Sequence, residues 1–165
     1  MSSIHLVRHG QASFGAADYD LLSERGERQA RVLGLALAST MPRVGQVVCG
    51  DMRRHRQTAE ACLQAMARAT DWHSDSDWNE FDHVRLIAAL RPEYADHDAL
   101  RAELQAAPDP QRALKALFEQ AMTRWVGGEH DDDYAETWTQ FRARCRRALA
   151  KLADSDPRIV AITAA

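Results

Sequence analysis

The chain has 165 residues, 45% of them hydrophobic and 27% charged, with a formal net charge of −3. That length suits one domain with a real core, and the slightly acidic balance argues against a nucleic-acid partner. No run approaches membrane-spanning length, and Met1-Ser2-Ser3-Ile4 lacks the basic start and long apolar stretch of a signal peptide, so no membrane partner and a cytoplasmic location are expected.

Ile4 to Val7 reads as a buried strand that delivers Arg8 and His9 to a turn at Gly10. Open α/β folds place their ligands at such carboxyl ends of strands. A histidine there can act as nucleophile or base, an arginine can hold an anion, and glycine lets the backbone turn closely. Asp18 to Leu22 reads as a loop, and Ser23 as the N-cap of a helix with Ala30, Leu33, Leu37 and Met41 on its apolar side. Val44 to Cys49 is the second strand and Arg53 to Ala67 the second helix.

At the start of that helix, Arg53, Arg54 and Arg56 could form a solvated face. Read together with the Arg8-His9-Gly10 turn, Arg54 alone becomes a site candidate, because Arg53 and Arg56 point elsewhere at helical spacing. His55 is expected to face solvent, with the rim of a pocket as the alternative. The seven histidines show no metal-ligand spacing such as H-E-x-x-H, so no catalytic metal is expected. Cys49 and Cys62 read as buried thiols rather than as a disulfide framework.

From about Glu93 to Ala153 the pattern is almost wholly helical. Asp109-Pro110 is an N-cap and first-turn pair, followed by the apolar stripe Leu114, Leu117, Phe118, Met122 and Trp125 before Gly127. A longer helix follows, with Trp138, Phe141, Cys145, Leu149 and Leu152 on its inner side; the aromatic residues of both stripes read as core. Glu129 to Asp133 reads as an exposed acidic turn, and Ile159 to Thr163 as a third strand. Strands alternating with helices predict a parallel α/β sheet.

Arg8-His9-Gly10, Leu22-Ser23 with Gly26, Gly50-Asp51-Met52 leading to Arg54, Gln57, Thr58 and Ala59, and Trp78-Asn79-Glu80-Phe81 occur in an order that resembles the histidine phosphatase superfamily. That group includes cofactor-dependent phosphoglycerate mutases and many small phosphatases. The resemblance covers residues 4 to 83 closely and the rest in outline. It implies an α/β three-layer sandwich with a mostly parallel central sheet and helices on both faces. The whole chain, 1–165, would be one such domain, with a helical insert over about 84–153 that roofs the site and carries substrate choice.

The resemblance implies roles residue by residue. His9 matches the histidine that is phosphorylated, Arg8 and Arg54 the phosphate-holding arginines, and Glu80 the proposed proton donor to the leaving group. Where many members carry an asparagine after the turn, this chain reads Ser13-Phe14-Gly15, which makes Ser13 a candidate phosphate contact. Gly50 stands where the family usually has serine, and His55 where it has alanine.

These roles have a physical logic. Phosphoryl transfer depends on positioning and on stabilising charge over three oxygens, and arginine's planar fork suits that work. A nucleophilic imidazole needs one free nitrogen, so its other nitrogen needs an acceptor, commonly a backbone carbonyl. An acid that protonates a leaving alkoxide needs a raised pKa, and Trp78 and Phe81 could provide an apolar wall around Glu80.

Family members usually follow the last strand with Thr-His-Gly-Gly, whereas here Thr163 is followed by Ala164-Ala165. The natural chain continues further, the subgroup lacks that histidine, or the protein binds phosphate esters without turning them over. A bare apolar strand at a terminus favours the first. The expected function is phosphomonoester hydrolysis through a phosphohistidine on His9, with no metal or organic cofactor. A phosphoglycerate mutase-type phosphotransferase and a catalytically weak phosphate-ester or phosphoprotein binding domain are the alternatives. The expected partner is a small phosphorylated substrate, a phosphoprotein being the other candidate; the oligomeric state is open, a dimer included.

Overall fold

The computed structural model describes residues 3–13, 20–41, 44–67, 71–153 and 158–163. Phe14, Gly15, Asp18, Ala164 and Ala165 lie outside the described residues, as do the side chains of the last strand. Among the described residues there are four strands and six α-helices. The strands are β1 (Ser3–Arg8), β2 (Gln46–Cys49), β3 (Trp72–Ser74) and β4 (Arg158–Thr163). The helices are α1 (Glu24–Thr40), α2 (Arg53–Ala65), α3 (His83–Leu90), α4 (His97–Ala106), α5 (Pro110–Gly127) and α6 (Trp138–Ala153). The chain divides into two compact units, one of residues up to Glu80 together with those from Arg144 onward, the other Phe81–Ala143.

In the first unit the strands form one sheet in the order β1-β4-β2-β3, with every pair parallel. The return of β4 between β1 and β2 leaves Arg8 opposite Thr163, and Cys49 opposite Ile162. Strand side chains alternate between faces. Val7, Val47 and Cys49 therefore pack with Leu37, Met41, Ala59, Cys62 and Leu63 of the α1–α2 side. Val48 packs instead with Trp78, Ala148 and Leu152. The expectation of a buried strand at Ile4 to Val7 is corrected: of the described side chains on edge strand β1 only Val7 is buried, while Ile4 and Leu6, on its other face, are exposed. Cys49 and Cys62 are buried free thiols, as expected.

Ser23 caps α1, its hydroxyl accepting from the Gly26 amide at 3.1 Å. The expected strands and helices recur with shifted ends, except that β3 was not foreseen. Its three residues carry no apolar run, and pairing with β2 alone defines it.

In the second unit Asp109 caps α5, Pro110 opens it, and Gly128 follows it at φ +75°, in the left-handed region that glycine tolerates. Trp125 is 1% exposed, its indole N–H donating to the Glu136 carbonyl at 2.8 Å. Phe81 and Trp138 lie 5.3 and 5.2 Å from it between ring centroids, so the aromatic stripes are core. Two expectations are corrected. α6 has 16 residues against 18 in α5, so it is not the longer helix. Leu149 is exposed rather than inward, because Ala148 and Leu152 supply the buried face of that turn. The acidic segment holds a short 3-10 turn, Asp131–Asp133, whose Asp133 pairs with Arg124.

Candidate active site

His9 is the first residue beyond β1. Its Nδ1 lies 2.6 Å from the Gly10 carbonyl oxygen, which as an acceptor fixes the proton on Nδ1. Nε2 is thereby left with its lone pair. It faces Arg54 Nε at 3.3 Å and Glu80 Oε2 at 3.7 Å.

Arg54, on the first turn of α2, is 4% exposed. A charge so buried needs partners on all sides. Besides His9 it has two carboxylates: Nη1 donates to Asp20 Oδ1 at 2.6 Å and Nη2 to Glu80 Oε2 at 2.7 Å. One turn on, the Thr58 hydroxyl donates to the Arg54 carbonyl at 2.7 Å and accepts from the Gly10 amide at 3.1 Å. Gln57 Oε1 accepts from the Leu22 amide at 2.8 Å and Gln29 Oε1 from the Gln11 amide at 2.9 Å. These two glutamines and the threonine thus tie loops to helices around Arg54 and His9.

Burial alone would push the Glu80 carboxyl up, but His9, in its protonated form, and Arg54 beside it outweigh that and hold it down at about 2. The raised acid expected from the sequence is not what this arrangement presents. The reason is local: Trp78 turns into the core with Val48, Ala148 and Leu152, and the groups meeting the carboxylate are cationic or polar.

The structure brings His9, Arg54 and Glu80 together. Arg8 is exposed and lines, with His9, Gln11, Arg25 and Gln29, an adjoining cleft of about 480 Å³. Ser13 does not join the cluster: its amide donates to the Leu21 carbonyl at 2.8 Å, and its hydroxyl takes no hydrogen bond among the described residues. Asp20 and Arg25 were missed. A lone carboxylate in an unpatterned loop carries no signal, whereas Arg25, in the first turn of a capped helix beside the Arg8-His9-Gly10 turn, could have been weighed. His55 corrects its expectation outright. It is fully buried, its ring centroid 5.4 Å from that of His9. The bare backbone of Gly50 admits it, since a Cβ there would collide with His55 Nδ1.

A model of the histidine phosphatase superfamily, branch 1, matches residues 4–113. The chain belongs to that superfamily. The match spans His9, Arg54 and Glu80, and so the whole cluster just described. No curated protein matches the chain. Among solved structures it is similar to phosphoglycerate mutase from Bacillus anthracis, at 17% identity and a TM-score of 0.60, over 98% of this chain and 74% of that one. It is also similar to mycobacterial glucosyl-3-phosphoglycerate phosphatase in complex with VO3, at 22% identity and a TM-score of 0.57, over 99% of this chain and 76% of that one. At such identities the likeness establishes a phosphoglycerate mutase-like α/β fold. This superfamily and these neighbours comprise phosphatases and mutases. Among the described residues of this superfamily member, no helix is long and apolar enough to cross a membrane.

Proposed function

We propose that the chain is a phosphomonoester hydrolase that works through a phosphohistidine on His9, with a small phosphorylated compound as substrate. The observation that carries this reading is the His9 ring itself: Nδ1 bound to the Gly10 carbonyl, Nε2 facing Arg54 and Glu80.

The reaction follows from that geometry. The Nε2 lone pair forms a bond to phosphorus as the ester P–O bond breaks. Arg54 turns its N–H donors from the two carboxylates to the phosphoryl oxygens, and Arg8, in the adjoining cleft, adds a second cation. Losing the Arg54 contact and gaining a dianion beside it both raise the proton affinity of Glu80. Glu80 then carries the proton that the departing alkoxide takes. In the second half, water attacks phosphorus and gives its proton back to Glu80, the P–N bond breaks, and inorganic phosphate leaves. A mutase would share the first half and return the phosphoryl group to another hydroxyl. Mutases of the resembling family generally continue the Arg8-His9-Gly10 turn with a Glu-Ser-x-Trp-Asn type sequence, and the different continuation Gln11-Ala12-Ser13 here favours water as acceptor.

The test is covalent labelling. Incubation with a radiolabelled phosphomonoester should place an acid-labile, base-stable label on the wild type and none on His9→Ala. Label that persists in the variant would put the nucleophile elsewhere.

A further inference from the structure

Glu80 holds its carboxylate 3.7 Å from Nε2 of His9, yet it belongs to no strand or helix. It follows a short 3-10 turn, Ser76–Trp78, and precedes α3. Backbone outside a ladder needs donors from elsewhere for its carbonyls. Arg144 on α6 supplies them. Its Nη1 is shared among three carbonyls of this segment, those of Ser76 at 3.2 Å, Asp77 at 3.1 Å and Asn79 at 2.8 Å. The shortest of these bonds goes to the residue immediately before Glu80. Asn79 is also held through its side chain, whose Oδ1 accepts from the Asp51 amide at 2.6 Å.

The same face of α6 meets the turn along its length, because positions 144, 147, 148, 151 and 152 share one side of a helix. Arg147 donates to Asp77 Oδ1 at 3.0 Å, and Lys151 to Asp75 Oδ2 at 2.7 Å and Asp77 Oδ2 at 3.0 Å. Ala148 and Leu152 pack with Trp78 in the core. Ion pairs of exposed side chains such as Arg147 and Lys151 contribute little each. Arg144 differs, since it is half-buried and grips backbone rather than a mobile side chain.

We propose that Arg144 is a positioning residue for the reaction: by holding the Asn79 carbonyl it fixes the backbone from which the Glu80 carboxyl reaches the departing oxygen. The proposal rests on Glu80 as the proton carrier of the phosphohistidine reading. A misplacement of about 1 Å can cost a catalytic group about 10²-fold, and a site residue is only as well placed as its supports. Loosening this segment should impair proton transfer and leave the attack of His9 on phosphorus intact.

A double-mutant cycle on the full chain tests this, with an alkyl phosphate and nitrophenyl phosphate as substrates. Arg144→Met keeps the aliphatic stem and loses the donors. Its kcat/KM should fall about 10-fold on the alkyl phosphate and less than about threefold on nitrophenyl phosphate, whose leaving group needs no proton. In a Glu80→Gln background the same replacement should cost less than about twofold on either substrate, because no proton donor remains to be misplaced. Arg146→Met, the same charge change at an exposed position of α6, should stay at wild type. A loss in Arg144→Met that is equal on the two substrates, or undiminished beside Glu80→Gln, confines Arg144 to the stability of the turn and overturns the proposal. Wild-type activity on the alkyl phosphate overturns it as well. Failure of the underlying reading shows elsewhere: Glu80→Gln alone would lose equally on both substrates, or the wild type would take no phosphoryl label, and either result overturns both. Should Arg144→Met not fold, Arg144→Gln takes its place in the cycle and is judged by the same criteria.

Discussion

The two compact units bury different chemistry. In the first, the side chains sealed inside the start of α2 are an arginine, a histidine and a threonine, set against a further histidine and two carboxylates. In the second, the interior is made of Leu86, Ile87, Tyr94, Ala121 and Trp125 ringed by further aromatics, with no buried charge among the described residues. Beside an apolar core of residues such as Val7, Leu37, Val47 and Leu63, the first unit thus holds a cluster of directed bonds that a single substitution can break, whereas the second is held chiefly by contact area, which many side chains share. Function should therefore be brittle in the first unit, and stability should be the main casualty in the second.

The sharpest way to break that contrast is Arg54→Lys. It keeps the charge but loses the fork that reaches His9, Asp20 and Glu80, so kcat should fall about 10²- to 10³-fold, while Arg53→Lys stays near wild type. Steady-state kinetics on one phosphomonoester checks this, and equal losses in the two variants would shift the assignment by a residue. Next in size is Glu80→Gln. It should lower hydrolysis of an alkyl phosphate by about 10²-fold and that of nitrophenyl phosphate much less, since nitrophenolate leaves without a proton. Equal losses would reduce Glu80 to a partner of Arg54.

In the aromatic unit, Trp125→Phe removes ring area and the bond to the Glu136 carbonyl. We expect a cost of about 2–3 kcal/mol in denaturant unfolding, with kcat per folded molecule on nitrophenyl phosphate within a few-fold of the wild type. A kinetic loss as large as that of Glu80→Gln would erase the distinction between the units.

An effect confined to acid conditions is expected on stability. His55 is lowered from 6.5 to about 4, chiefly by burial, so the unfolded chain binds its proton first as pH falls. The stabilisation is complete above 6.5 and drains away between 6.5 and 4, at up to about 1.4 kcal/mol per pH unit. Glu80, also lowered, acts in a different window, between its ordinary 4.5 and about 2. His55→Asn should flatten the first window and spare the second. An unchanged slope between pH 6.5 and 4 would mean that another group sets it.

How far these regions could be read beforehand follows from what kind of signal each carries. Strand β1, as an element, and the Asp109-Pro110 start of α5 advertise themselves through local rules of apolar patterning and capping, and His9, Arg54 and Glu80 through the resemblance of their motifs to the superfamily's. Asp20 does not, because its meaning comes from Arg54, 34 positions away. His55 was misread because its neighbours are arginines on both sides, which hides any helical period. Its burial depends on the absence of a side chain at Gly50, a fact about space rather than pattern. Strand β3 is defined only by its partner.

One hydroxyl has a consequence for how the protein breathes. Thr58 accepts from the Gly10 amide while donating to the Arg54 carbonyl, in a buried setting. That amide should exchange its hydrogen with solvent only when the end of β1 and the first turn of α2 come apart together. A single deuterium-uptake rate at Gly10 would then report the opening frequency of the entire cluster, resolved from the fraying of every other loop.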